Sequence, residues 1–257
     1  MMAQKKLALV VAYGQSNENG PGCKWGTTSV TPDNTTVSVR VTPQYGFPNY
    51  FGASGQSSMF ALLAENIAAR KGWYVKWKNL AVGGTGIISN WTGYTGAVVT
   101  GTPYAYGDVG FDPNNYVSGM VTAIQTLKAQ GFEVWNITAG HQTDLSELWS
   151  ADKISQAQVT VINRALSAGA DKVMIGITPP YIGGSTAAEW TNPTGKLFVA
   201  RSQTIATIAN PNVFAGADLS VMTDTAVGMD SNLHRNHAGM QVAAGIWRDY
   251  LIDQGLI

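Results

Sequence analysis

The chain has 257 residues with 45% hydrophobic content, enough to build the core of one α/β domain, and residues 1–257 are read as a single domain. Lys plus Arg and Asp plus Glu number 16 each, so there is no net charge and no basic stripe of the kind that binds nucleic acid. Charged residues are only 12%, about half the share of roughly 25% in typical soluble domains, and a single cysteine, Cys23, with three histidines excludes an intrachain disulfide and argues against a structural zinc site.

Residues 7–12 form a short apolar run with two valines, the pattern of a strand buried on both faces. Lys5 and Lys6 before it resemble the start of a signal peptide, but six apolar residues are too few for its hydrophobic region and lead into a Gly-Gln-Ser turn. Without an export signal, the expectation is a cytoplasmic protein, or a virion or extracellular one delivered by another route. No stretch approaches the ~20 apolar residues of a membrane span.

Residues 20–56 read as a long loop rich in Gly, Pro, Thr and aromatics, with a short hairpin at 37–41. Ser57 or Ser58 caps a helix through Arg70, with Phe60, Leu63 and Ile67 on one face and Gly72 as its stop. A strand follows at 74–80, then a second long loop at 83–113. Further on come a helix at 115–130 ending at Gly131, a strand at 132–138, a helix at 151–167 and a strand at 172–177. A third long loop spans 178–193, and the chain closes with a helix at 194–209, a strand at 213–217 and a helix at 236–254. Five strand–helix units in alternation predict a parallel sheet with helices on both faces. Ligands of such sheets sit beyond the carboxyl ends of the strands. The three long loops lie on that side and carry aromatics, among them Trp91, Tyr94, Tyr104, Tyr106 and Trp190. Each of these rings either stacks on a sugar or pins its loop to the body.

The polar clusters follow strand ends. Gly14-Gln15-Ser16-Asn17 places a hydroxyl at the top of the first strand, where a turn favours developing negative charge. The spacing is not that of the Gly-x-Ser-x-Gly elbow, because Asn19 precedes Gly20. A serine nucleophile needs a base, and His234, within Asp230-Ser231-Asn232-Leu233-His234, has a carboxylate nearby to fix its tautomer. His237 is the reserve. Oxyanion donors can come from Asn79-Leu80-Ala81-Val82-Gly83-Gly84-Thr85, whose glycines let backbone N–H groups approach a ligand. Gly140-His141-Gln142-Thr143-Asp144 offers the side-chain amide of Gln142.

These clusters, in this order, resemble the four sequence blocks of the SGNH (GDSL-like) hydrolases over nearly the whole chain, from Gly14 to Gly239. Gly-Gln-Ser-Asn together with Val-Gly-Gly-Thr-Gly-Ile-Ile-Ser-Asn-Trp looks like the sialate O-acetylesterase and acetylxylan esterase branch. The resemblance implies a three-layer α/β/α domain with a central parallel five-stranded, flavodoxin-like sheet. It implies Ser16 as nucleophile and His234 as base. The N–H groups of Ser16 and Gly84 and the Gln142 amide become oxyanion donors, with Gln15, Thr85, Trp91 and His141 against the substrate. No metal or organic cofactor is required.

Two departures stand out. The third block has Gln for Asn with one residue inserted. The position three before His234 is Ser231 rather than Asp, so either Asp230 reaches from four before, or the site is a Ser–His dyad oriented by a backbone carbonyl. Asp144 and then Asp224 are the lesser substitutes. The function this implies is hydrolysis of O-acetyl esters on a carbohydrate. A lipase or thioesterase on the same fold is the second reading, and a non-catalytic glycan-binding module of a phage tail or surface assembly is the third. The partner in the first case is an acetylated carbohydrate or other small ester.

Overall fold

A computed structural model describes residues 5–11, 37–40, 59–81, 85–94, 103–138, 144, 148–178, 193–222 and 237–257. Its centre is a six-stranded sheet of β1 (Lys6–Val11), β2 (Val37–Arg40), β3 (Tyr74–Asn79), β4 (Glu133–Thr138), β5 (Lys172–Ile175) and β6 (Val213–Phe214). The spatial order is β2-β3-β1-β4-β5-β6. Every pairing is parallel except that of β2, which runs antiparallel along β3. The five parallel strands thus have the flavodoxin-like order second-first-third-fourth-fifth, and the chain changes direction between β1 and β4. Of the short hairpin expected at 37–41, the described part is the single strand β2, which pairs with β3, with Val37 opposite Trp77 and Arg40 opposite Tyr74.

Period-two alternation divides each central strand between two cores. Leu7, Leu9 and Val11 of β1, with Trp135 and Ile137 of β4, pack on helices α1 (Met59–Lys71) and α5 (His237–Asp253). Ala8 and Val10, with Val134, face the other way, toward α2 (Tyr116–Ala129), α3 (Ala151–Ser167) and α4 (Pro193–Ile208). Both faces of β1 are covered, so Leu7 to Val11 have no exposed surface and the strand needs no polar side. The expected stripe of α1 is the buried one: Phe60, Leu63 and Ile67 all lie in the first core.

Local chemistry sets the helix ends. Gly72 and Gly131 follow α1 and α2 with φ of 64° and 78°, values that cost glycine nothing. The Ser150 hydroxyl accepts the Lys153 N–H at 3.3 Å to start α3. The Asp112 carboxylate accepts the N–H groups of Val117 (2.9 Å) and Ser118 (2.8 Å) at the start of α2.

Two strands end earlier than the sequence predicts. β6 stops after two residues because the next backbone groups bond to side chains. The Arg201 guanidinium donates to the Ala215 carbonyl at 2.6 Å, and the Gly216 N–H donates to the Tyr250 hydroxyl at 3.1 Å. Gly216 turns at φ 63°, and a Cβ there would lie 2.5 Å from backbone atoms of Ile175 and Gly176. β5 loses its regular ladder at Gly176, and Ile177 resumes contact only as a bridge to Asp218. No helix among the described residues is long and apolar enough to cross a membrane.

Two consequences can be measured. Truncating Leu63 to Ala empties a site with no solvent exposure. It should cost about 2–5 kcal/mol in urea denaturation, against less than ~1 kcal/mol for an exposed position on the same helix. At the amino edge of the sheet, Glu133 bonds Lys5 at 2.7 Å and the Trp135 indole at 2.6 Å, with Lys172 at 3.7 Å. Partial burial pushes the Glu133 carboxyl up, but the two hydrogen bonds and the Lys5 and Lys172 charges outweigh it and hold it below its ordinary value. A depressed carboxyl stabilises the fold above its unfolded value and loses that contribution as pH falls through the folded one. Glu133→Gln should therefore reduce stability at neutral pH and flatten the fall in melting temperature below about pH 5.

Candidate active site

The parallel strands all present their carboxyl ends on one edge. β1 and β4, which flank the switch in chain direction, end there at Val11 and Thr138. Ser16 follows Val11 by five residues, Gly84 follows Asn79 by five, and Gln142 follows Thr138 by four. Ser16, Gln15, Gly84, His141, Gln142, Asp230 and His234 lie outside the described residues, as does Asp224. The reserve histidine, His237, opens α5.

What the structure does describe is the frame that these segments enter and leave. After Gly84 the chain passes through Thr85 and Gly86 into a single π-helical turn at Ile87–Trp91. This part of the segment read as a loop is one of the most buried in the molecule: Ile87, Ile88 and Trp91 have no exposed surface. The wide turn is closed by bonds from Trp91 N–H to the Gly86 carbonyl (3.3 Å) and from Thr92 N–H to the Ile87 carbonyl (2.9 Å). Its open N-terminal donors are met by a residue from the third block. The fully buried Asp144 carboxylate accepts the Ile87 N–H at 2.9 Å and the Ile88 N–H at 3.2 Å. Within the turn, the Asn90 side-chain oxygen accepts the Gly86 N–H at 2.9 Å.

Asp144 thus joins the segment that follows β4 to the segment that follows β3. Both of its oxygens are engaged in that tie, a structural task the sequence does not disclose. Gly86 makes room for it, since a Cβ on Gly86 would lie 2.8 Å from Asp144 Oδ1. The sequence signal for the turn is present in hindsight: Ile87, Ile88 and Trp91 are spaced for one face of a helical turn.

The two described residues expected against substrate are both inward. Trp91 packs on Tyr116 with ring centroids 5.3 Å apart, and its indole N–H donates to Thr85 Oγ1 at 3.4 Å. With no exposed surface, its ring has no face to offer a sugar, and it belongs to the core under α2. Thr85 is 5% exposed. Tyr94 stacks edgewise on Tyr104 and on the buried Trp149, so these rings pin their loop to the body. Tyr106, by contrast, is 59% exposed.

One polar residue that sequence reading passed over lies just inside the switch. Asn136, in mid-β4 and fully buried, donates from its amide to the Val10 carbonyl of β1 at 3.4 Å, while its Oδ1 has no hydrogen-bond partner among the described residues. Its residue type was the available signal: an Asn within an otherwise apolar strand.

The architecture has three layers, with helices on both faces of a central, mostly parallel sheet. Among solved structures it is similar to an acetylxylan esterase, Axe2, from Geobacillus stearothermophilus, with a TM-score of 0.56 and 14% identity over 99% of this chain and 97% of that one. A mutant of Axe2, described as an acetyl-xylooligosaccharide esterase, gives a TM-score of 0.55 with 14% identity over 99% of this chain and 97% of that one. A family two carbohydrate esterase from Clostridium thermocellum matches with a TM-score of 0.54 and 14% identity, and this chain, 98% covered, spans 65% of its length. No protein-family model and no curated protein matches the chain.

The Asp144–Gly86 contact makes a quantitative prediction. Asp144→Ala leaves two buried N–H groups unmet and should cost about 2–5 kcal/mol. Gly86→Ala should be destabilising in the native background, where the methyl meets the carboxylate, and less so in Asp144→Ala, where the Ser89 hydroxyl at 3.3 Å is the remaining close neighbour. A double-mutant cycle by urea denaturation reads the coupling, expected at roughly 1–3 kcal/mol, and additive effects would show that the two residues do not meet.

Proposed function

We propose that this protein is a serine esterase that removes O-acetyl groups from a carbohydrate. The observation that carries the reading is a convergence. The Ser16, Gly84 and Gln142 segments each begin at the carboxyl end of β1, β3 or β4, around the switch, and the last two are tied together by Asp144. Three short motifs that would be ordinary turns in isolation therefore start from one edge of one sheet, where this class of fold puts its chemistry.

The proposed reaction is double displacement. Ser16 Oγ attacks the acetyl carbonyl carbon as His234 takes its proton, and the carbonyl oxygen becomes an oxyanion. The N–H groups of Ser16 and Gly84 and the amide of Gln142 donate to that oxygen. The tetrahedral intermediate collapses, the C–O bond to the sugar breaks, and His234 returns the proton to the leaving hydroxyl. Water, deprotonated by His234, then attacks the acetyl-serine, releasing acetate and restoring Ser16. Asp230 holds His234 in a triad, or a backbone carbonyl does so in a dyad. His141 and Gln15 flank the reacting groups and contact the sugar. The acetylxylan esterases that share the fold make acetylated xylo-oligosaccharide a natural first polymeric substrate to try.

The test is hydrolysis of 4-nitrophenyl acetate beside the butyrate and octanoate esters. The acetate should be preferred, and Ser16→Ala and His234→Ala should each lose at least ~10³-fold in kcat/KM. Asp230→Asn separates the two arrangements: a loss of about 10³–10⁴-fold means a triad, and near-wild-type activity means a dyad. Activity that survives Ser16→Ala overturns the nucleophile. Preference for octanoate moves the assignment to lipid esters, and absence of activity on every chain length moves it to a binding module.

A further inference from the structure

Of the loop aromatics that the structure describes, Trp91 is fully buried, and Tyr94 and Tyr104 pack on one another, with Tyr94 also against Trp149. Tyr106 is the exception. It is 59% exposed, and every other aromatic among the described residues is buried or half-buried. Exposure alone means little, because an unsupported ring on a loop is free to turn. This ring is held. The Arg164 guanidinium lies over it at 3.6 Å from the centroid, and Phe111 meets it edgewise at 5.5 Å and 82°. Arg164 and Phe111 therefore occupy one face and one edge of the ring, and the exposed surface is the opposite face with the hydroxyl end.

The loop that carries the ring is fixed by its own bonds. The Asp108 N–H donates to the Ala105 carbonyl at 3.1 Å, the Ala105 N–H donates back to Asp108 Oδ2 at 2.7 Å, and the Phe111 N–H donates to the Asp108 carbonyl at 3.1 Å. The Tyr104 ring lies 2.7 Å from where a Cβ on Gly110 would be, which closes the turn from the inside. Gly107, next to Tyr106, turns at φ 96°, and a Cβ there would meet nothing within 4 Å, so there is open room beside the ring. Beyond that glycine stands the exposed Asp108 carboxylate, whose Oδ1 has no partner among the described residues. A ligand that fits both must lay C–H bonds on the ring and present O–H donors at its rim, where the carboxylate accepts them. A neutral pyranose with equatorial hydroxyls has that shape: axial C–H bonds form its faces, and its hydroxyls point outward. Arg164 belongs to the last turn of α3, so this surface is on the helical layer and not over the strand ends.

We infer that Tyr106 is the platform of a glycan-binding subsite on the helical layer, where a neutral pyranosyl chain stacks on the open face of the ring and donates a hydroxyl to Asp108. Arg164 is a positioning residue: it supports the ring from behind and does not touch the sugar. The inference deepens the esterase reading by giving a polymeric substrate a second hold away from the ester, and it rests on that reading only for the use made of the bound chain. Because the loop is already closed by three hydrogen bonds, little ordering is left to be done when a sugar arrives.

The test is isothermal titration calorimetry of the wild-type protein with xylohexaose, a neutral chain of equatorial pyranoses that has no ester to cleave. Tyr106→Ala should weaken binding about tenfold, and Tyr106→Phe and Tyr106→Trp, which keep a ring, should restore it. Asp108→Asn, which can still accept from Ala105, should weaken binding severalfold. Arg164→Met should also weaken it, because the ring loses its support. Added NaCl should leave the affinity unchanged, since the sugar carries no charge. Tyr106→Ala should shift the melting temperature by less than ~3 °C, which separates a lost contact from a lost fold. The proposal is overturned if xylohexaose does not bind, if Tyr106→Ala binds it as tightly as wild type, or if the aromatic replacements fail to restore what alanine removes. It is equally overturned if sedimentation shows a dimer that Tyr106→Ala dissociates, which assigns the ring to a contact between two copies of the chain. Esterase activity without xylohexaose binding keeps the proposed function and removes this subsite from it, and Tyr106-dependent binding without esterase activity does the reverse.

Discussion

The carboxyl edge of this molecule is organised by one buried carboxylate. Asp144 has no contact with solvent, yet its oxygens are not stranded, because the π-helical turn at Ile87–Trp91 presents unmet backbone donors to it at 2.9 and 3.2 Å. Each partner removes the other's penalty: a turn end without an acceptor, and a carboxylate without donors, are both costly inside a core. The tie crosses 57 residues of sequence and links the chain after β3 to the chain after β4. Those two segments bear the backbone and side-chain donors proposed for the oxyanion, and this contact ties them to one another.

The turn itself explains why Asp144 can be where it is. Gly86 lacks the methyl that would strike the carboxylate, Asn90 satisfies the Gly86 N–H, and Ile87, Ile88 and Trp91 anchor the turn in the core under α2. A wide turn at this point brings two successive N–H groups to a single acceptor. On the opposite side of the sheet, α1 and α5 pack on the alternate residues of the same strands, so the sheet is fixed from both faces and its edge does not have to hold itself together.

Much of this was legible in the residues. Continuous apolar runs and helical stripes found the strands and helices because burial on two faces and on one face leave different periods. Gly72 and Gly131 marked helix ends because their φ values favour glycine. The failures have equally physical causes. The sequence predicts five residues for β6, but Arg201 and Tyr250 capture the groups that would have extended its ladder, and such capture depends on partners distant in sequence. The turn at Ile87–Trp91 reads as loop because the helical spacing of Ile87, Ile88 and Trp91 spans a single turn and does not repeat. Trp91, placed against substrate by the resemblance, is open between stacking on a sugar and pinning its loop, because an aromatic in a Gly-rich segment looks the same whether it faces in or out. Of the site, the motif order pointed to the edge, while the role of Asp144 was hidden: a carboxylate near a candidate base suggests acid–base work before it suggests a tie. Ser16, Gln142 and His234 remain readings of the sequence.

The position of β1 has a consequence for the life of the chain before it is folded. It precedes the other described strands in the chain and it is central, paired on one side with β3 and on the other with β4, so that Leu7 meets Glu133. At ~5–20 residues per second the ribosome takes about 6–25 seconds to add the 126 residues between those partners. For that time a run of five residues destined to have no solvent exposure stays without one of its neighbours. The nascent protein therefore passes through a window in which its future centre is an exposed apolar segment, and helpers that shield apolar strands would act there.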